Sequence, residues 1–181
     1  SVNLFKSGSI SGFIKGNVHT DTLMGALVKR EAGVRIDRRL VHVFIMLPPK
    51  GGEPLLISDA AINIRPDINT RVEAALLMAE ISRKLGFTRP KVAILSATES
   101  ILPAMPSSVE ADEIAGLARV KDPDADFFGP LSFDLAISPR ATAEKGITNQ
   151  VAGKANALVV PDIVSGNILF KSLVWCAGGL A

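Results

Sequence analysis

Short apolar runs alternate along the chain with longer segments in which apolar residues recur every three or four positions. The short runs predict strands, and the longer segments predict amphipathic helices. This alternation predicts an α/β fold, with a mainly parallel sheet and helices on both of its faces. The predicted strands are Ser11–Lys15, Leu40–Leu47, Leu55–Ser58, Lys91–Thr98, Asp126–Phe128 and Ala157–Val160; the predicted helices are Thr20–Arg30, Thr70–Leu85, Ser107–Val120, Phe133–Gly146 and Ile163–Ala181.

Local signals set the ends of several elements. Two capping boxes, Thr70 with Glu73 and Ser107 with Glu110, predict where two helices begin. The strand Leu55–Ser58 is the expected hairpin partner of the strand before it. The Gly33–Arg39 segment is the expected hinge.

The last predicted helix is apolar on nearly every side, and Lys171 is its only charged residue. Such a helix is normally buried all round. We therefore expect that another chain covers it or that the protein continues past Ala181. Because the chain also begins without Met, we expect it to be part of a longer protein.

Composition narrows the class of protein. Hydrophobic residues make up 48% and charged residues 21%, which is typical of a soluble globular domain. No apolar run reaches the roughly 18 residues of a membrane-spanning helix. Lysines and arginines (20, against 18 acidic residues) are scattered, so no nucleic-acid partner is expected. A single cysteine and no recognisable signal peptide predict a cytoplasmic protein.

Ligands of open α/β sheets bind beyond the carboxyl ends of the strands, and this rule selects three loops. Their polar residues suit an anion, because backbone N–H groups at a helix start favour negative charge. Each residue also has a structural explanation, as a helix cap, a turn cap or, for His19, a structural histidine. The candidate binding residues are Lys15, His19, Thr20, Asp21, Ser96, Thr98, Asp162, Gly166 and Asn167.

Other reactive side chains are expected to be structural. His42 lies in an apolar strand, and Cys176 lies in an apolar helix, where a buried, inert thiol is expected. The sequence has no metal-ligand spacing, no phosphate loop and no nucleophile elbow. The residues by themselves therefore indicate an anion-binding α/β domain.

Longer segments carry a resemblance that covers nearly the whole chain in order. They resemble the phosphate acetyl/butyryl-transferase family, and more closely its butyryl branch, which includes copies fused to a hydratase-like domain. The segments are KGNVHTDTLMGALV, LLISDAAINIRP, PKVAILSATE, GPLSFDLAISPRATAEKGI and VAGKANALVVPDIVSGNILFKSLV.

The resemblance implies a reaction in which acyl-CoA and phosphate are interconverted with acyl phosphate and CoA, without a metal or redox cofactor. It implies an isocitrate/isopropylmalate dehydrogenase-like fold with two α/β domains. Residues 1–33 would be the end of the first domain, and residues 34–181 most of the second. It also implies a homodimer paired through the second domain.

The chain departs from the family pattern at two places. Met24 stands where phosphotransacetylases have an arginine, which favours a larger or more apolar acyl group. The family's catalytic Ser-Arg segment is expected beyond Ala181, so no catalytic residue is assigned here, and residues 1–181 alone are expected to be inactive. The alternatives are a non-catalytic docking or dimerisation module of a fusion enzyme and, less favoured, a decarboxylating dehydrogenase.

Overall fold

The computed structural model describes residues 2–27, 29 and 38–181, without the side chains of Thr20 and Asp21. The chain forms two compact units, residues 1–39 and residues 40–181. The domain boundary predicted at 33/34 and most of the predicted hinge lie outside the described residues.

The first unit contains two short helices, α1 (Val2–Lys6) and α2 (Thr20–Leu27). The predicted strand Ser11–Lys15 is wrong: this segment is irregular and mostly exposed, with no strand beside it among the described residues. The start of α2 agrees with its prediction, and the His19 carbonyl accepts hydrogen bonds from the amides of Thr22 and Leu23.

The second unit contains a five-stranded sheet in the order β1-β2-β5-β3-β4. The strand β1 pairs antiparallel with β2, as the predicted hairpin requires, and the other neighbours are parallel. Only three residues of the predicted strand Leu40–Leu47 join the sheet. The strands are β1 (Phe44–Met46), β2 (Leu55–Ser58), β3 (Lys91–Leu95), β4 (Asp126–Leu131) and β5 (Ala157–Val159).

Helices cover both faces of this sheet. One apolar cluster packs Leu56, Ile94 and Val159 against the helices that follow β2 and β3. A second packs Ile57, Leu158 and Val160 against the helices that follow β4 and β5. Alternate residues of a strand point to opposite faces, so each buried strand serves both clusters. The helices are α3 (Ile68–Lys84), α4 (Pro106–Lys121), α5 (Phe133–Ile137), α6 (Pro139–Lys145) and α7 (Ile163–Trp175).

Both predicted capping boxes are wrong. The N-cap of α3 is Asp67, whose Oδ1 accepts from the Thr70 amide at 2.7 Å. The N-cap of α4 is Met105, which makes no side-chain cap bond. Pro106 explains the earlier start, because a proline is well tolerated in the first turn of a helix.

The VAGKAN block has a structural role at the amino ends of the strands. Asn156 is buried, accepts from the Lys91 amide at 2.5 Å and donates to Ser82 Oγ at 2.8 Å. It thereby ties β5 to the start of β3 and to the end of α3. Gly153 has a positive φ of 72°, and a Cβ there would lie 2.9 Å from Pro139 Cα. This block therefore links β5 to β3, α3 and the start of α6.

The final helix differs from its prediction in length and burial. It ends at Trp175, after which Leu180 forms an antiparallel bridge with Leu47. Val164, Ile168 and Trp175 are exposed, so within this chain α7 is not buried on all sides. The expectation of a buried Cys176 thiol is also wrong, since that residue caps the exposed end of α7.

Candidate functional site

The carboxyl ends of β2, β5, β3 and β4 lie at one edge of the sheet, because these strands are parallel. The chain leaves this edge at Asp59, Val160, Ser96 and Ser132, and each exit leads towards a helix. The predicted loops after β3 and β5 therefore meet at this edge. They are joined there by the loop after β2, which sequence reasoning did not select.

Ser96 and Thr98 have different surroundings in the loop after β3. The Ser96 hydroxyl lies 2.9 Å from the Ser107 hydroxyl and 3.4 Å from Met105 Sδ, so it faces the start of α4. Thr98 Oγ1 accepts from the Ser100 amide at 3.1 Å and forms a local turn. The next residue, Glu99, contacts Lys145 at 2.9 Å, and this hydrogen bond and charge lower the pKa of Glu99 and raise the pKa of Lys145.

The loop after β5 supplies the remaining three candidates of this unit. Asp162 is the N-cap of α7, and its Oδ1 accepts from the Ser165 amide at 2.8 Å. Gly166 lets α7 approach the loop after β2, because a Cβ there would lie 2.9 Å from Ala60 Cβ and from Val160 Cγ2. Asn167 Nδ2 lies 3.5 Å from the Ala60 carbonyl. These residues join the β5 and β2 loops.

The candidates of the first unit lie on an exposed segment. Lys15 and His19 are exposed, and Lys15 Nζ is 3.4 Å from the neighbouring Gly16 carbonyl. Thr20 and Asp21 are the first two residues of α2, and their side chains lie outside the described part.

Asp59 organises the loop after β2, although sequence reasoning missed it. Its carboxylate is almost fully buried and accepts five hydrogen bonds, from the amides of His42, Ala61, Ile62 and Asn63 and from Asn63 Nδ2. A carboxylate with this many donors is fixed in position. Asp59 follows β2 directly, so the rule that selected the β3 loop would have found it too.

Arg71 on α3 is the second residue that sequence reasoning missed. Its side chain is 1% exposed, and Nη1 donates to Glu110 Oε2 at 2.9 Å, while Nε and Nη2 are buried without a partner. Burial lowers its pKa, and the charges of Glu110 and Asp162 oppose that effect. Arginine nevertheless stays protonated. No local sequence signal marks it, because its burial arises only when α3 and α4 pack together.

The edge therefore combines hydroxyl groups with the start of a helix that has no side-chain cap. The three long helices α3, α4 and α7 begin here, and α4 alone of the three lacks a side-chain cap. An uncapped helix start favours an anion, and the Ser96 and Ser107 hydroxyls lie beside it. The buried Arg71 charge lies in the first turn of α3 and is paired with Glu110 on α4, and the Asp59 and Asp162 carboxylates lie at the same edge.

Outside this edge, the described residues form a cavity but no cluster of metal-binding side chains. A cavity of about 410 Å³ lies at the opposite edge, between Arg89, Arg119 and Asn149, and contains none of the candidates. Within the described ranges, no three His, Cys, Asp or Glu side chains are grouped to hold a metal ion, and no helix is long and apolar enough to cross a membrane.

Comparison with known proteins identifies the family. The family model described as phosphate acetyl/butaryl transferase matches residues 1–180. The chain belongs to this family. A Rickettsia felis phosphate acetyltransferase is 39% identical over 175 residues, which cover 96% of this chain and 50% of that protein. A Clostridium acetobutylicum phosphate butyryltransferase is 31% identical over 178 residues, covering 97% and 58%.

Solved structures agree with this assignment to the phosphate acetyl/butaryl transferase family. A branched-chain phosphotransacylase from Enterococcus faecalis V583 superposes with a TM-score of 0.89 at 37% identity, covering 98% of this chain and 64% of that one. A Streptococcus pyogenes phosphotransacetylase gives a TM-score of 0.84 at 30% identity, covering 98% and 54%. The chain spans about half the length of the curated relatives it matches.

Proposed function

We propose that the protein containing this chain is a phosphate acyltransferase that interconverts acyl-CoA and phosphate with acyl phosphate and CoA. The observation that carries the proposal is the family match along residues 1–180. It is supported by the close superposition on a branched-chain phosphotransacylase. The anion-suited edge formed by Ser96, Ser107 and the start of α4 fits a phosphate-bearing substrate.

In the proposed reaction the CoA thiolate attacks the carbonyl carbon of the acyl phosphate. A C–S bond forms, the C–O bond to phosphate breaks, and phosphate leaves with that electron pair. The residues of this chain bind and orient the substrates, which contributes through proximity and through stabilisation of negative charge. The binding residues are proposed to be Lys15, His19, Thr20, Asp21, Ser96, Thr98, Asp162, Gly166 and Asn167. The main catalytic Ser-Arg segment is proposed to follow Ala181.

Further parts of the proposal concern the whole protein. It would act in the cytoplasm, use CoA as a substrate and need neither metal nor redox cofactor. It would have the isocitrate dehydrogenase-like arrangement of two α/β domains.

The protein is also proposed to form a homodimer through its second domain. Val164, Ile168 and Trp175 form an exposed apolar stripe along α7, and such stripes are typical of subunit interfaces. A strictly monomeric full-length protein in light scattering would contradict this part of the proposal.

The function is tested with the full-length protein by following CoA release from butyryl-CoA with and without phosphate. Thioester cleavage is expected only with phosphate. Ser96→Ala removes a hydroxyl at the start of α4, and we expect kcat/KM for phosphate to fall about tenfold, the effect of one lost hydrogen bond to a charged group. Thr88→Ala removes an exposed hydroxyl from the loop before β3, at the opposite edge of the sheet, and is the matched control that should leave kcat/KM unchanged.

The possible results distinguish the proposed function from the proposed role of Ser96. Absence of phosphate-dependent cleavage with acetyl-CoA and butyryl-CoA would overturn the function. Normal activity of the Ser96→Ala variant would keep the function and remove Ser96 from the binding site.

A further inference from the structure

The loop between β3 and α4 exposes apolar side chains at the carboxyl edge. Its sequence from Ile101 to Pro106 is ILPAMP. Ile101 is 53% exposed and Leu102 is 42% exposed, while Met105 is partly buried. Exposed aliphatic residues cost free energy in water, so two neighbouring ones beside a polar edge require an explanation.

This loop is held in place from within. The buried Ser108 hydroxyl accepts from the Leu102 amide at 2.8 Å and lies 3.1 Å from the Leu102 carbonyl. The Met105 amide donates to that carbonyl at 2.8 Å. The contact between Glu99 and Lys145 fixes the other end of the loop against α6. The apolar side chains are therefore presented by an ordered backbone.

The apolar surface adjoins the hydroxyl groups of the candidate site. Met105 Sδ lies 3.4 Å from Ser96 Oγ, and Ser96 Oγ lies 2.9 Å from Ser107 Oγ. Met105 thus links the hydroxyl groups beside the start of α4 to the apolar loop, because its amide also donates to the Leu102 carbonyl. A ligand that fits both has a phosphate group at one end and a hydrocarbon chain at the other.

We propose that Ile101, Leu102 and Met105 contact the acyl chain of the substrate and set the preference of the enzyme for chain length. This inference rests on the proposed function. Three apolar side chains are enough to contact a short acyl chain, whereas a stable protein partner would bury about 800 Å² on each side. The CoA pantetheine arm is the alternative occupant, and it would respond equally for every acyl group.

The test uses the full-length enzyme with Ile101→Ser and Leu102→Ser combined, and kcat/KM is measured for acetyl-CoA and butyryl-CoA at saturating phosphate. Butyryl has two more methylene groups than acetyl, and burying each contributes a factor of about four. We expect the butyryl-to-acetyl ratio of kcat/KM to fall about tenfold, while acetyl-CoA activity is largely kept. The single variants Ile101→Ala and Leu102→Ala should give smaller falls in the same direction.

Val120→Ser is the matched control, since Val120 is an 84% exposed aliphatic residue at the far end of α4. Its ratio should equal that of the unmodified enzyme. An unchanged ratio in the loop variants would overturn the inference, and so would an equal loss with both thioesters. If the unmodified enzyme shows no phosphate-dependent cleavage, the proposed function itself fails.

Discussion

Arg71 places a full positive charge where water does not reach it. Such burial costs several kcal/mol unless the charge is paired and its donors are satisfied, and here two nitrogens, Nε and Nη2, have no hydrogen-bond partner among the described residues. Glu110, its ion-pair partner, is itself half exposed. Hydrophobic packing between α3 and α4 must offset this cost. Burial of the Arg71 charge therefore lowers the stability of the folded chain.

Protonation of His42 should make the free energy of unfolding depend on pH. Burial lowers its pKa below 6.5, and the Asp59 charge opposes this only in part. Its Nδ1 is buried without a partner. Below about pH 6.5 the unfolded chain binds a proton at His42, whereas the folded chain binds that proton only at a lower pH. The free energy of unfolding should therefore fall as the pH is lowered from about 7.5 to 5.5.

The measurement is urea unfolding across that pH range. His42→Gln should flatten the dependence, because the folded and unfolded states then bind equal numbers of protons at this position. The chain has one other histidine, the exposed His19, and His19→Gln is the control that should leave the slope unchanged. Equal slopes for the original chain and the His42 variant would contradict the prediction.

Among the described helices, α7 is the one whose position depends on a single glycine that a side chain could not replace without a close contact. It contacts β1 and β2, and Gly166 is its only buried residue. This glycine lies where the helix crosses Ala60 and Val160. The close approach brings the Asp162 cap beside the loop organised by Asp59.

Gly166→Ala should destabilise the protein by about 1–3 kcal/mol, the usual effect of an extra methyl group in a packed contact. The physical reason is the 2.9 Å separation that its Cβ would have from Ala60 Cβ and Val160 Cγ2. The measurement is the urea midpoint.

The matched control is Gly116→Ala on α4, where a Cβ would meet only Arg119 Nη2 at 3.8 Å. That change should stabilise the protein by about 0.5–1 kcal/mol, because alanine is the better helix former. If the Gly166 variant is as stable as the Gly116 variant, α7 can move away from Ala60 and Val160 without a loss of stability, and the prediction is wrong.

Both apolar clusters of the described structure lie within residues 40–181. This second unit contains the whole described sheet and the helices on both faces. A segment of that length buries enough apolar surface to fold as a domain.

We therefore expect residues 40–181, produced alone, to unfold in one cooperative thermal transition. Its midpoint should lie within a few degrees of that of residues 1–181. A broad transition without a heat-capacity peak in calorimetry would contradict this and would show that the first unit is needed for folding.

The sequence pattern predicted the class of fold because buried parallel strands have continuous apolar runs that few other elements share. Helix starts were harder to predict. Asp67 competes with Thr70 as a cap, and Pro106 moves the start of α4 ahead of Ser107, so several local signals fit the same segment.

The candidate site was predictable only where it follows a strand. Ser96 follows the buried strand β3 directly, and Asp162 lies shortly after the buried strand β5. The structure places both residues at the expected edge of the sheet. Arg71 was not predictable, since its burial and its pairing with Glu110 depend on two helices that are distant in sequence. Cys176 was wrongly expected to be buried because an apolar composition does not say how far a helix extends beyond the sheet.

The position of β5 has a consequence for how the chain assembles during synthesis. Leu56 of β2 and Val92 of β3 both pair with Ala157, so β2 and β3 do not pair with each other, and one edge of each stays unpaired until β5 has been made. About a hundred residues separate Leu56 from its partner. A growing chain would therefore expose two unpaired apolar strand edges until β5 emerges, and folding through such distant contacts is slow. Of the five described strands, β5 is made last and fills the gap between β2 and β3, so a translation product interrupted before β5 would be prone to aggregate.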